Sequence, residues 1–277
     1  MNDRTSQRSL IFAALISITA LLPNLSSATV VRFETVMGTI EVNLYDNATP
    51  QTVANFLAYV NNIDYSSSVI HRSMSGFIVQ GGGFTFDMVL PLVDIPERPS
   101  VTNEPEFSNV RGTIAMAKIG GQPNSATSQW FFNLSNNSAN LDSQNSGFTV
   151  FGEVVGDGMD VIDAIAALPT YNLDPPLPFD DFPLRDYSAA DFGNDVPVEE
   201  EHLVIITAIT VIDSTVDSAA GLNPPRNTAD SGGGGGSGGG GGNITTWAVL
   251  LLLTMLLVQR LANRLSRSRV RNTDTRR

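Results

Sequence analysis

Arg72, Phe77 and Gln80 lie close together in the string Val69-Ile70-His71-Arg72-Ser73-Met74-Ser75-Gly76-Phe77-Ile78-Val79-Gln80-Gly81-Gly82. A second string follows about fifty residues later, Asn124-Ser125-Ala126-Thr127-Ser128-Gln129-Trp130-Phe131-Phe132-Asn133, preceded by Gly112-Thr113-Ile114-Ala115-Met116-Ala117. An arginine is permanently charged and presents several donors in a fixed plane. Set beside apolar rings, it can stabilise developing electron density without a nucleophile, a metal or a proton shuttle. The remaining chemistry-bearing residues narrow the choice. There is no cysteine, which excludes thiol nucleophiles, disulfide scaffolds and cysteine-ligated zinc. His71 and His202 are the only histidines and are far apart in sequence, so no metal site is expected. Gly81-Gly82-Gly83 lacks the lysine and serine of a phosphate loop. Taken singly, Phe77 and Phe131 read as core residues, Arg72 as a strand-end charge and Gln80 as the residue before a turn. Their combination points to a site.

The elements that must position these residues are mainly strands. Val30 to Val36 and Thr39 to Tyr45 read as two strands joined at Met37-Gly38, with Ile40, Val42 and Leu44 alternating against Thr39, Glu41 and Asn43. Further strand-like runs are Val69 to Gln80, Gly112 to Met116, Gln129 to Leu134, Phe148 to Val155 and Leu203 to Ile212. Thr49-Pro50 opens a helix as N-cap and first-turn proline, with Val53, Phe56, Leu57 and Val60 on its buried face. A second helix is expected near Met159 to Leu168, stopped by Pro169. Many strands and two helices predict a mostly β fold, a closed antiparallel β-barrel capped by those helices.

The two strings resemble the signature of cyclophilins, especially bacterial ones, with supporting matches at Asn140-Leu141-Asp142 and Phe148-Thr149-Val150-Phe151-Gly152-Glu153-Val154. The resemblance covers roughly residues 30 to 212 and implies peptidyl-prolyl cis-trans isomerase activity without a cofactor. An X-Pro amide turns slowly because rotation breaks its resonance, a barrier of roughly 18–20 kcal/mol. The twisted state regains a lone pair on the prolyl nitrogen, and a cationic donor there stabilises it selectively. By this resemblance Arg72 is that donor. Phe77, Met116, Phe131 and Leu141 form a proline pocket with Phe148 on its rim. Gln80 binds the substrate backbone and orients Arg72, while Gln129 and the Ala117-Lys118 backbone dock the peptide. His71 supports the pocket wall. Three departures stand out. Asn140 occupies a position where many eukaryotic members carry a tryptophan that contacts cyclosporin, so weak inhibition by that drug is expected. Phe148 replaces a frequent histidine, and Lys118 a frequent asparagine. A proline-peptide binding module with incidental catalysis is the competing reading.

The ends of the chain carry a different message. Arg4 and Arg8 precede the apolar stretch Leu10 to Leu22, and Ser26-Ser27-Ala28 offers a cleavage site, the pattern of a secretory signal over residues 1–28. The isomerase domain is expected at 29–213, containing an acidic Asp/Pro-rich loop at 170–201. A Gly/Ser-rich linker follows at 214–243, then a hydrophobic helix at 244–259 and an Arg-rich tail at 260–277. Ile244 to Val258 is short for a membrane span, yet flanking arginines can snorkel. The acidic body argues against a nucleic-acid partner, and the basic tail marks a cytoplasmic end. Glycine block, short apolar helix and arginine cluster together resemble a GlyGly-CTERM sorting signal. That implies a rhomboid-type protease as a partner and an exported protein at the periplasmic face of the membrane, released or surface-sorted after processing. Its clients would be proline-containing peptides and unfolded exported proteins. For the acidic loop, a solvated surface, a divalent-cation site and a partner-docking surface all remain open.

Overall fold

The computed structural model describes residues 29–173, 179–214 and 222–229. The expected signal segment, most of the linker, the hydrophobic helix and the Arg-rich tail lie outside the described residues, and among those described no helix is long and apolar enough to cross a membrane.

The first hairpin forms where alternation predicted it. Strand β1 (Val30–Thr35) pairs with β2 (Gly38–Leu44). Gly38 is required at the turn. Its φ is +133°, and a Cβ there would meet Val161 at 2.9 Å. Helix α1 (Pro50–Asn61) begins at the expected proline, but Thr49 makes no capping bond with its side chain. The Glu104 carboxylate does this instead, accepting from the Gln51 and Thr52 amides at 3.2 and 2.9 Å. An anion on the exposed N–H groups of a helix start is favourable wherever in the chain it comes from, and here it ties a distant segment to α1.

The long strand expected over Val69 to Gln80 is three strands, β3 (Ser68–Val69), β4 (Arg72–Met74) and β5 (Ile78–Gly81). The chain changes partner between the first two. The Ile70 amide donates to Val204 and that of His71 to Gln80. A turn at Ser75-Gly76, with Gly76 at φ +69°, separates β4 from β5. Next come β6 (Phe84–Thr85), β7 (Val93–Asp94), β8 (Thr113–Met116), β9 (Trp130–Asn133), the short α2 (Ser138–Leu141), β10 (Val150–Val155) and α3 (Gly158–Ala166). The chain continues through β11 (Thr170–Leu173), β12 (Phe179–Pro183), α4 (Ala189–Gly193) and β13 (Ile205–Asp213).

Eleven strands pair antiparallel in the order β4-β5-β9-β8-β10-β2-β1-β13-β3-β6-β7. Among the described residues the order is open, with β4 and β7 at its edges, so hydrogen bonding defines a curled sheet, and the expected closed ring of paired strands is not found. Residues 68–74 nevertheless serve both halves of it, bonding β13 at their start and β5 at their end. Inside the curl, Phe33, Phe56, Trp130 and Phe132 pack with Ile162 and Ile165 of α3. The Phe33 and Trp130 rings meet edge to face at 5.2 Å.

The acidic segment differs most from expectation. Read as a loop, it holds the antiparallel pair β11–β12 and the capped helix α4. Its aromatics explain the order. Tyr171, Phe179, Phe182 and Tyr187 are buried with Val69, Phe84, Leu203 and Ile205 in a second apolar cluster. Each large apolar side chain so buried contributes about 1.5–3 kcal/mol, which a purely solvated loop would forgo.

Candidate active site

Register brings the two sequence strings together. Arg72 lies opposite Gln80, Gln80 opposite Phe131, and Phe131 opposite Ala115. Residues directly opposite in antiparallel strands share a face, so one row across β4, β5, β9 and β8 carries a cation, an amide and a phenyl ring. Arg72 and Phe131 stand two strands apart, about 10 Å between backbones at ordinary strand spacing.

The apolar part of the site is a third cluster. Phe131, Leu141, Phe148, Ile78, Ala115 and Ala117 are buried together, with Phe77 packed against them. The Phe131 and Phe148 rings meet edge to face at 5.9 Å. The Phe148 amide donates to the Leu141 carbonyl at 2.8 Å, which joins two pocket walls directly. Met116 does not belong here. It sits opposite Trp130 and packs in the main core, because alternation along β8 turns it away from Ala115 and Ala117. Ile78 occupies the pocket side instead, two residues before Gln80 on the same face of β5. That period of two was visible in the sequence.

His71 also faces elsewhere. It lies against Phe84 at 5.0 Å and Phe179 at 6.0 Å, beneath the acidic segment. Burial lowers its pKa to about 4, with Arg72 acting in the same direction and the Val69 backbone and Gln129 opposing. It is therefore a neutral packing group at physiological pH. Gln129 holds the site's amide, since Gln80 Nε2 donates to Gln129 Oε1 at 2.9 Å. Gln80 Oε1 is buried with no hydrogen-bond partner among the described residues. The Ala117 amide donates to the Gln129 carbonyl.

Arg72 is only 5% exposed. Burial lowers its pKa, while Asp181 and Asp180 push it back up, and a guanidinium stays charged throughout. Asp181 Oδ2 lies 3.6 Å from Arg72 Nε. In the sequence this carboxylate is one of the pair Asp180-Asp181 in the acidic segment, which carries no sign of a link to Arg72. A register irregularity in β11–β12 and a φ of +52° turn it toward β4, and the Asn172 side chain accepts its amide at 3.0 Å. Asp tolerates that left-handed conformation better than most residues.

Lys118 contributes more than backbone. Its Nζ donates to the Asn145 and Gly147 carbonyls at 2.9 and 2.5 Å and lies 4.8 Å over the Phe148 ring. Burial lowers its pKa to about 7. A buried amide network supports the opposite wall. Asn109 donates to Asp142 Oδ1 and to the Phe148 carbonyl, and Asn137 donates to the Phe77 carbonyl and to Asn133 Oδ1. The network's traces in the sequence are Asn133 at the end of the second string and Asp142 in Asn140-Leu141-Asp142.

A family model described as cyclophilin type peptidyl-prolyl cis-trans isomerase/CLD matches residues 30–185. The chain belongs to the cyclophilin family. As a cyclophilin it is 41% identical over 165 residues to peptidyl-prolyl cis-trans isomerase A of Dickeya dadantii, covering 58% of this chain and 84% of that protein. It is likewise 41% identical over 143 residues to a peptidyl-prolyl cis-trans isomerase of Acinetobacter baylyi, covering 51% of this chain and 74% of the relative. The isomerase B of Escherichia coli is 39% identical over 144 residues, with 50% and 85% covered. This cyclophilin is thus an enzyme of the peptidyl-prolyl cis-trans isomerase class.

Proposed function

We propose that the chain rotates X-Pro bonds by stabilising the twisted amide with Arg72 while the proline ring rests on Phe131, Phe77, Leu141 and Phe148. The row Arg72, Gln80, Phe131 carries this reading, because it sets a fixed charge and an apolar seat on one face of adjacent strands. The Nε edge of Arg72 faces Asp181, which leaves the terminal amino groups for the prolyl nitrogen. That nitrogen accepts a hydrogen bond only when pyramidal, so the interaction lowers the barrier instead of tightening the ground state. Gln80, held by Gln129, supplies a free carbonyl oxygen for a substrate backbone N–H. The test is protease-coupled isomerisation of a proline tetrapeptide by the full-length protein. Arg72→Ala should lower kcat/KM at least about tenfold, the equivalent of 1.4 kcal/mol of transition-state stabilisation, with the circular dichroism unchanged. A smaller loss in a folded variant refutes the mechanism.

The substrates we infer are proline-containing segments of exported proteins. The signal pattern over 1–28 and the apolar run with its arginine cluster over 244–277 support export and tethering at a membrane, and the glycine blocks support sorting by an intramembrane protease. Cell fractionation compares the full chain with one ending at Asn243. Identical distributions would remove both the tether and the sorting signal.

A further inference from the structure

The chain returns to the body after β13. Residues 222–229 lie outside the family match, yet they run antiparallel along Glu106–Ser108, with Arg226 opposite Phe107. The Ser108 amide donates to the Pro225 carbonyl at 2.9 Å, and the Asn227 amide to the Glu106 carbonyl at 3.0 Å. Pro225 has no N–H to leave unpaired, so a proline suits this outer strand. Arg226 is read twice. Its Nη1 lies 2.8 Å from Glu106 Oε2, and its guanidinium sits 4.9 Å over the Phe107 ring.

These contacts reach the walls of the proline pocket. Asn227 Nδ2 donates to the Asp142 carbonyl at 3.0 Å, next to Leu141. The same nitrogen would stand 3.2 Å from a Cβ at Gly147, beside Phe148. Leu222 packs against the cluster that holds Phe131, Leu141 and Phe148. The receiving edge is itself anchored, for Asn103 donates to the Ser146 and Gly147 carbonyls and Glu104 caps α1.

We propose that the Glu106–Ser108 edge is a second peptide-binding site, filled in cis by the Leu222–Ala229 strap, and that its occupation holds the pocket walls at Leu141–Asp142 and Gly147–Phe148. The ligand class is an extended peptide with two prolines followed by arginine and asparagine. The consequence for the pocket rests on the function proposed above; the docking itself does not. Seven residues separate Ser214 from Leu222, and so short a tether supplies an effective concentration of millimolar order, which lets a weak contact stay closed.

The experiment uses full-length protein and a full-length variant lacking only 222–229, with a fluorescent synthetic peptide of residues 222–229 as probe. The deletion variant should bind the probe with a Kd of roughly 0.1–1 mM, matched to the millimolar tether, and the wild type about two- to tenfold more weakly, because the tethered strap competes for the site. Glu106→Lys in the deletion background should weaken probe binding about fivefold or more, through loss of the ion pair and charge repulsion. The deletion should raise KM for a proline tetrapeptide about threefold or more with kcat nearly unchanged, and excess probe peptide should restore KM, since only positioning has been lost. Should the deletion variant fail to fold, the double variant Arg226→Ala, Asn227→Ala takes its place as the opened form. Equal probe binding by wild type and opened form, or none by the opened form, overturns the site. An unchanged KM overturns its effect on the pocket. If wild-type protein shows no Arg72-dependent isomerisation, the pocket reading falls while the probe still decides the docking.

Discussion

Two regions flank Arg72, and they were built by different rules. On one side, β5, β9 and β8 present Gln80, Phe131 and Ala115 through strand register. On the other, β12 presents Asp181 from a segment whose aromatics anchor it to the body. The first region places side chains by a ladder of regularly spaced backbone bonds. The second places one carboxylate by local irregularity, a bulge and a left-handed residue. A register determines a whole row at once, whereas a bulge determines a single position, so the two should fail differently when damaged.

The largest contrast comes from truncating one buried ring in each. Phe131→Ala and Phe182→Ala should each lose about 3–5 kcal/mol in urea unfolding, as buried phenyl deletions do. Only Phe131→Ala should also raise KM steeply, about tenfold or more, the equivalent of 1.4 kcal/mol of lost binding. Phe182→Ala should lower kcat by disturbing Asp181 and leave KM nearly intact. Matching KM effects would mean that the acidic segment is part of the substrate pocket.

A milder change separates position from bulk. Asp181→Asn keeps the shape and removes the charge facing Arg72. The pair is long, and Asp181 is 38% exposed, so the interaction is worth about 0.5–1 kcal/mol and kcat should fall about two- to fivefold. An increase in kcat would show that the carboxylate restrains the arginine and does not position it.

The smallest effect is a slope. Burial holds the His71 pKa near 4, against about 6.5 in an unfolded chain. Between these values the unfolded state binds the additional proton, so stability falls as pH drops from about 6.5 toward 4. His71→Asn should flatten that part of the curve, measured as urea midpoints across the window. An unaltered slope would place His71 in water and remove it from the packing beneath the acidic segment.

Much of the pocket side was legible in the chain. Arg72, Phe77, Gln80, Gln129 and Phe131 come from two contiguous strings; alternation assigns the faces of Arg72, Gln80 and Phe131 within their strands, while Phe77 and Gln129 lie just outside them and owe their legibility to the strings alone. For Met116 the resemblance and the alternation along β8 give opposite answers, and the structure follows alternation, with Met116 in the main core and Ile78 on the pocket side. His71 adjoins Arg72 in sequence but turns to the other side, as neighbours in extended chain must. Asp181 was illegible. Nothing in the pair Asp180-Asp181 distinguishes the member that a bulge will aim at an arginine about a hundred residues earlier. The helix cap from Glu104 was equally hidden, since a capping group need not be local.

Composition, alternation and motif spacing therefore determined the class of fold, the site's cation and rings, and which residues share a strand face, because these depend on periodicities a few residues long. Only the tertiary structure decided which acid faces Arg72, how the sheet curls around residues 68–74, and that Leu222–Ala229 lies against the pocket walls. Those outcomes depend on contacts between segments far apart in the chain, where packing and charge select among many partners that local pattern leaves equivalent.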